Sequence, residues 1–239
     1  MSIPSRAFDQ WVESVCGDTP PSMRQIAEMT RGQRTGASRN QLSLARARGT
    51  MPEVAVLSVA KAYGLNPLEE ISRFPGFEAA WPKPKLKPEQ CLILLPTLEL
   101  IIELLWRGRE LEMSDRKDTR GVPGDALARW ADRAFAKTTK QDLAATIGVN
   151  RVSMTKQLEA GKMPVDRIFA ICRVLRTHPG LPLAAAGHID PEVLGWSLAD
   201  LLIKATAPQI LEELRSSRKY VDDSFNMLAF LDEVDRKLG

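Results

Sequence analysis

Two short runs of the chain carry side chains suited to reading the edge of a base pair. One holds Arg39, Asn40, Gln41 and Ser43; the other holds Asn150, Arg151, Ser153, Thr155 and Lys156. Arginine can bond O6 and N7 of guanine together, and asparagine or glutamine can do the same with N6 and N7 of adenine. That chemistry needs the side chains on the first turns of a helix, the part that enters a major groove. Arg39 and Arg151 share one register and are the candidates for guanine, with a phosphate contact as the alternative for each. Ser22, Arg24, Ser38, Thr139 and Lys140 lie at helix starts, where hydroxyls and free N–H groups suit a phosphate oxygen. Arg31 and Arg34 sit in a turn before the first run and either hold the backbone or reach into a groove.

The elements that must position these residues are legible around each run. From Thr138 to Pro164 a hydroxyl N-cap (Thr138 or Thr139), Asp142 in the first turn, and Leu143, Ala144 and Ile147 at helical spacing predict one helix. Gly148 ends it, Asn150 caps a second, and Gly161 ends that. In the second helix Met154 and Leu158 face inward while Arg151, Thr155 and Lys156 stay outside. Ser22 to Pro52 repeats the pattern: Ser22 caps a helix ending near Thr30, a basic turn spans Arg31 to Ala37, and Ser38 caps a helix with Leu42 and Ala45 inward and Gly49 at its end. Two short helices joined by a tight turn, the second with a polar, basic outer face, are a helix-turn-helix signature.

The repeat runs on past the motif. Ile26-Ala27 matches Leu143-Ala144, and Met51-Pro52 matches Met163-Pro164. Val56-Leu57 falls on Ile168-Phe169, Val59-Ala60 on Ile171-Cys172, Tyr63 on Leu175 and Asn66-Pro67 on His178-Pro179. Trp11 and Trp130 precede the two copies at similar distances. The first copy has about five more residues in its turn, and Arg46 stands where the second has Leu158. A duplicated helical module follows.

Along the chain, Ser5 or Asp9 opens a helix with Phe8, Trp11, Val12 and Val15 on its apolar face. Pro52 is placed in the first turn of a helix striped by Val56, Val59, Ala60 and Tyr63, and a short helix runs from Pro67 to about Phe74. Pro75 to Pro88 reads as a linker or an extended strap, semi-rigid because of its prolines, with Lys83, Lys85 and Lys87 either touching phosphates or merely solvated. Glu89 to Glu112 reads as one helix with Leu92, Leu95, Leu98, Ile101, Ile102 and Leu105 inward and acids outward. It either packs, braces the modules or self-associates. Met113 to Gly124 is a polar linker that makes the modules separable. Asp190-Pro191 starts the tail, Ala207-Pro208 breaks it, and Val221, Phe225, Leu228, Leu231 and Val234 stripe a last helix. That apolar face needs its own module or another copy of the chain.

The expected architecture is all-α, with domains at 1–75, 125–188 and a tail at 189–239, and a linker plus packing helix at 76–124. Net charge is only +3 over 239 residues, but residues 1–88 carry +4 and 116–180 carry +7, while 89–115 and 181–239 carry −4 each. A basic footprint confined to the two motif-bearing blocks is what phosphate binding needs. The N-terminus lacks a secretory pattern, no apolar run matches a membrane span, and Cys16, Cys91 and Cys172 are spaced as free thiols. A reducing cytoplasm is the expected setting. His178 and His188 are the only histidines, and His178 falls on the capping position of Asn66. No nucleotide-loop, dinucleotide or zinc-protease motif is present, and no acids have metal-ligand spacing. Neither catalysis nor a cofactor or metal is expected.

Both copies, over about 8–74 and 126–187, resemble the helix-turn-helix domain of the lambda-repressor-like (Cro/repressor) superfamily, most clearly in DLAATIGVNRVSMTKQLEAG. The motif, then MP, then a helix ending in YGLNP, then an acidic helical tail is similar to temperate actinobacteriophage immunity repressors. The resemblance implies a protein that binds a double-stranded DNA operator, silences early lytic promoters and maintains lysogeny. Two unlike recognition helices in one chain imply an asymmetric bipartite operator, met by a monomer or by a weak homodimer formed through the C-terminal helices. The rival readings are a helix-turn-helix scaffold that binds protein, and an activator or excision regulator on the same fold.

Overall fold

The computed structural model describes residues 2–17, 19–31, 36–107, 121–136 and 138–217. It is all-α. Among the described residues the helices are α1 (Ser5–Cys16), α2 (Met23–Thr30), α3 (Arg39–Ala47), α4 (Glu53–Ala62), α5 (Pro67–Ser72), α6 (Pro88–Cys91), α7 (Thr97–Arg107), α8 (Ala126–Ala134), α9 (Lys140–Thr146), α10 (Arg151–Glu159), α11 (Val165–Leu175), α12 (Gly180–Ala185), α13 (Leu198–Lys204) and α14 (Ala207–Ser217). Among the described residues the one sheet is a two-residue antiparallel pair, β1 (Ile3–Pro4) with β2 (Thr50–Met51), which ties the start of α1 to the segment after α3.

The repeated helices form where their caps and apolar spacing place them. Phe8 and Trp11 of α1, Ile26 of α2, Leu42 of α3 and Val56 and Val59 of α4 are buried. So are Trp130 of α8, Leu143 and Ala144 of α9, Met154 and Leu158 of α10, and Ile168, Phe169 and Ile171 of α11. Gly49, Gly64, Gly148 and Gly161 end helices with positive φ, the conformation a side chain resists. His178 takes the role of Asn66: Asn66 Oδ1 accepts Leu68 N–H at 3.0 Å, and His178 Nδ1 accepts Gly180 N–H at 3.0 Å. His178 Nε2 therefore carries the proton and donates to Ala80 O and Pro82 O. Burial, against these bonds, holds its imidazole below the ordinary value. His188 is also buried and bonded, to Met163 O at 2.8 Å.

Several expectations change. Glu89–Glu112 is not one helix: α6 passes into a 3-10 turn at Leu92–Leu94 and α7 restarts at Thr97, because Pro96 has no N–H for a continuous ladder. Leu98 is 66% exposed and Glu103 is buried, so the inward face of α7 is Leu100, Ile101 and Leu104. Tyr63 caps α4 and is 40% exposed rather than joining its stripe, and Pro52 is the N-cap of α4 rather than a first-turn residue. The break expected at Ala207-Pro208 falls between α13, which ends at Lys204, and α14, which begins at Ala207 with Pro208 in its first turn. The segment 76–88 is no free linker: Phe77 and Ala80 are fully buried, and the Phe77 ring meets Phe169 edge-on at 4.8 Å between centroids. Buried residues of both motif blocks thus belong to one continuous core. The expected linker at 113–120 and the stripe at 221–234 lie outside the described residues. Cys16, Cys91 and Cys172 are free thiols; burial pushes the Cys91 and Cys172 thiols up to about 12.

The repeat also extends beyond the motif blocks. Residues 88–107 match 198–217 at an offset of 110, with Leu92 on Leu202, Leu100 on Ile210, Ile101 on Leu211, Glu103 on Glu213 and Leu104 on Leu214, all buried. These matching helices pack on each other, α6 against α13 and α7 against α14, and α4 packs against its own match, α11. The apolar faces of α13 and α14 are covered in this way, by the matching helices of the same chain.

Candidate nucleic-acid interface

Both candidate helices begin on a side-chain cap. Ser38 Oγ accepts Gln41 N–H at 3.3 Å while Gln41 Oε1 accepts Ser38 N–H at 2.8 Å, a reciprocal capping box. Asn150 Oδ1 accepts Val152 N–H at 2.8 Å and Ser153 N–H at 3.2 Å. These bonds fix Arg39 and Arg151 at the first helical position of α3 and α10, and both arginines are exposed. They also revise two expectations. Bidentate pairing with adenine needs the amide oxygen as well as the nitrogen, and in Gln41 and Asn150 that oxygen is already committed to the backbone. The Ser-x-x-Gln spacing, present at Ser22–Gln25 and again at Ser38–Gln41, is the sequence signal for this capping role.

What remains outward on α3 is Arg39, Asn40 and Ser43, with Leu44 beside them. On α10 it is Arg151, Val152 and Lys156, with Ser153 and Thr155 half-buried. The exposed Val152 and Lys162 were not among the expected contacts. Val152 occupies the register of Asn40, which is the signal that picks it out.

The five extra residues of the first turn do not displace α3. Thr30 is buried at the end of α2; its hydroxyl lies 2.9 Å from the carbonyls of both Ala27 and Ala37 and accepts Ala37 N–H at 3.1 Å. This clasp joins the end of α2 to the residue before the Ser38 cap, and α2 packs on α3. Arg34 lies outside the described residues. Arg24, Arg31, Ser38 and Arg39 come together around an open groove of about 650 Å³, with Glu28 also on its wall. Glu28 holds Arg24 at 3.1 Å in an exposed pair, which a phosphate could displace at little cost. Asn150, Val152, Ser153, Lys156 and Lys162 line a second groove of about 520 Å³.

The helices that precede α3 and α10 differ in the charge of their capping partner. At α2, Ser22 Oγ accepts Gln25 N–H at 3.4 Å, and Gln25 Oε1 accepts Ser22 N–H at 2.8 Å, so the capping partner is neutral. At α9, Thr139 donates its hydroxyl to Asp142 Oδ2 at 2.6 Å and accepts Asp142 N–H at 3.1 Å. The Asp142 carboxylate occupies the place a phosphate would take, which weakens the role expected of Thr139. Lys140, half-buried, stands beside it.

Among the described residues no group of His, Cys, Asp and Glu could hold a metal ion, and no helix is long and apolar enough to cross a membrane. Both grooves are wide and open and lined by donors and cations, a surface that suits a polyanion better than a small enclosed substrate. No family model, no curated protein and no solved structure matches this chain.

Proposed function

We propose that this chain is a sequence-specific double-stranded DNA-binding repressor, of the phage-immunity kind its motifs resemble, gripping a bipartite operator with α3 and α10. The observation that carries the reading is the paired placement of Arg39 and Arg151: each is exposed at the first position of a side-chain-capped helix whose inner face is buried. Asn40 and Ser43 on one helix, and Val152, Thr155 and Lys156 on the other, complete the base-edge surface. Arg24, Arg31 and Ser38 serve the phosphates on the first side, and Lys140 and Lys162 on the second. No catalytic role and no cofactor enter this reading.

The apolar helices after each motif are occupied by each other, which favours one chain, rather than an obligate dimer, as the binding unit. Titration of labelled duplex DNA at several salt concentrations tests the proposal. Affinity should fall steeply with salt for random DNA, by a log–log slope of several units, and a bipartite footprint should persist at physiological salt on the selected site. Binding that ignores salt, together with retention of a protein partner, would instead mark a protein-interaction scaffold.

A further inference from the structure

We infer that the two halves of this chain are related by a pseudo-two-fold axis, an intramolecular dimer, and that its DNA site is two half-sites in inverted orientation: alike where Arg39 and Arg151 reach, different at the adjacent pair, where one half meets Asn40 and the other Val152. The inference rests on the DNA-binding reading above and adds orientation and base preference to it.

The symmetry follows from reciprocity. Repeats stacked by translation bring unlike surfaces together; a two-fold brings each surface onto its own match. Here α4 meets α11, α6 meets α13 and α7 meets α14, each helix packing on its own counterpart. The side chains obey the same rule. Lys61 of α4 pairs with Asp190 at 2.8 Å. Moving each partner by the repeat offset exchanges the roles: Arg173 of α11 donates to Gly76 O at 3.0 Å, and its charge acts on Glu78, the match of Asp190. The tail shows the rule again. Buried Glu213 pairs with Arg129, whose Nη2 donates across to Leu95 O at 2.8 Å. Buried Glu103 pairs with Arg107, whose guanidinium donates across to Ala205 O and Leu202 O. Leu95 and Ala205 are matching positions, so each half clasps the same carbonyl of the other.

A two-fold rotation preserves the component of a direction along its axis and reverses the rest, so α3 and α10 meet one duplex through the part of their outer faces that lies along the axis. Duplex DNA has two-folds of its own across its helical axis, and the arrangement that superposes both symmetries runs the half-sites toward each other. The outer faces then set the sequence. Arg39 and Arg151 each ask for guanine. Asn40 offers an amide that pairs with adenine, whereas Val152, 54% exposed, offers only methyl groups, which suit the methyl of thymine.

Selection of the full chain on a random duplex pool, followed by anisotropy titrations on rebuilt sites, tests this. Two half-sites in inverted orientation should be recovered, and reversing one of them into a direct repeat should weaken binding by about a hundredfold, the loss of the tethered second contact. Val152→Asn, at an exposed position, should move preference by about tenfold toward a symmetric site with both halves of the Asn40 type. Recovery of a direct repeat, of a lone half-site, or of an unchanged preference in Val152→Asn would overturn the inference while leaving DNA binding intact. Recovery of no sequence at all would remove the DNA reading itself, and this inference with it.

Discussion

The two halves agree inside and disagree outside. Leu42 and Met154, Met51 and Met163, and Val56 and Ile168 are matching positions buried to the same degree, while Asn40 faces Val152 and Leu44 faces Lys156 across the repeat. The sharpest disagreement falls where a core position has become a surface one. Leu158 is 1% exposed, whereas Arg46, its match, has 47% of its side chain exposed and pairs with Asp9 at 2.8 Å. A packing surface tolerates few substitutions because each void or overlap costs energy. An outward surface does not, so duplication leaves it open to acquire a second specificity.

The comparison can be broken most forcefully in the tail. Glu213→Ala removes the buried carboxylate shared by Arg129, whose side chain is 1% exposed, and Arg133, and leaves Asp125 as the carboxylate partner of Arg129. Denaturant unfolding should show a loss of about 3 kcal/mol. Glu103→Ala should cost less, because Arg107 is 20% exposed and keeps its two carbonyl acceptors. Equal losses would show that the two clasps are energetically equivalent despite their different arginines. Next, Leu158→Ala should destabilise by about 2–5 kcal/mol through the cavity it leaves, while Arg46→Ala should cost under about 1 kcal/mol, as exposed ion pairs do. A large effect at Arg46 would deny that this position has left the core.

On DNA, Arg39→Ala and Arg151→Ala should each cost about 1–3 kcal/mol of binding and relax preference at one base pair of their own half-site. A loss spread evenly over all sequences would mark that arginine as a phosphate contact. Ser38→Ala and Asn150→Ala should lower stability by about 1 kcal/mol each through the lost caps, and affinity should fall with them, since the caps hold the arginines.

The seam between the halves should also respond to pH. Glu53, buried in the first turn of α4, has its carboxyl raised to about 7, chiefly by burial, with Asp166 of α11 adding repulsion against the lowering effect of its own backbone hydrogen bond. A carboxyl raised on folding binds its proton more tightly in the folded state. Stability is therefore fully present below about 4.5 and falls as pH rises through about 7. Glu53→Gln should flatten that fall, raising stability above pH 7 by about 1–3 kcal/mol, as read from unfolding curves at pH 5 and 8.

Much of this was legible before any coordinates, because it depends on neighbours in the chain. A cap acts over three residues, an apolar pair over four, and a glycine at its own position, so Ser38, Asn150, Leu158 and Gly161 could be placed from spacing. The duplication was legible through the motif blocks for the same reason. It was lost at residues 88–107 and 198–217, where the shared signal thins to scattered Leu, Ile and Glu and the helices differ in their breaks. For Gln41 and Asn150 the spacing does not separate capping from base contact, and hydrogen-bond geometry places both amide oxygens at helix caps.

The sequence by itself determined the helices, their caps, the inward and outward faces and the two exposed arginines, since these follow from short-range periodicity and local hydrogen bonding. Tertiary structure alone decided that α4, α6 and α7 meet their matches α11, α13 and α14, and that Glu103 and Glu213 are buried. Those outcomes join residues about a hundred positions apart, and a contact at that separation is set by how whole surfaces fit, which leaves no period in the chain.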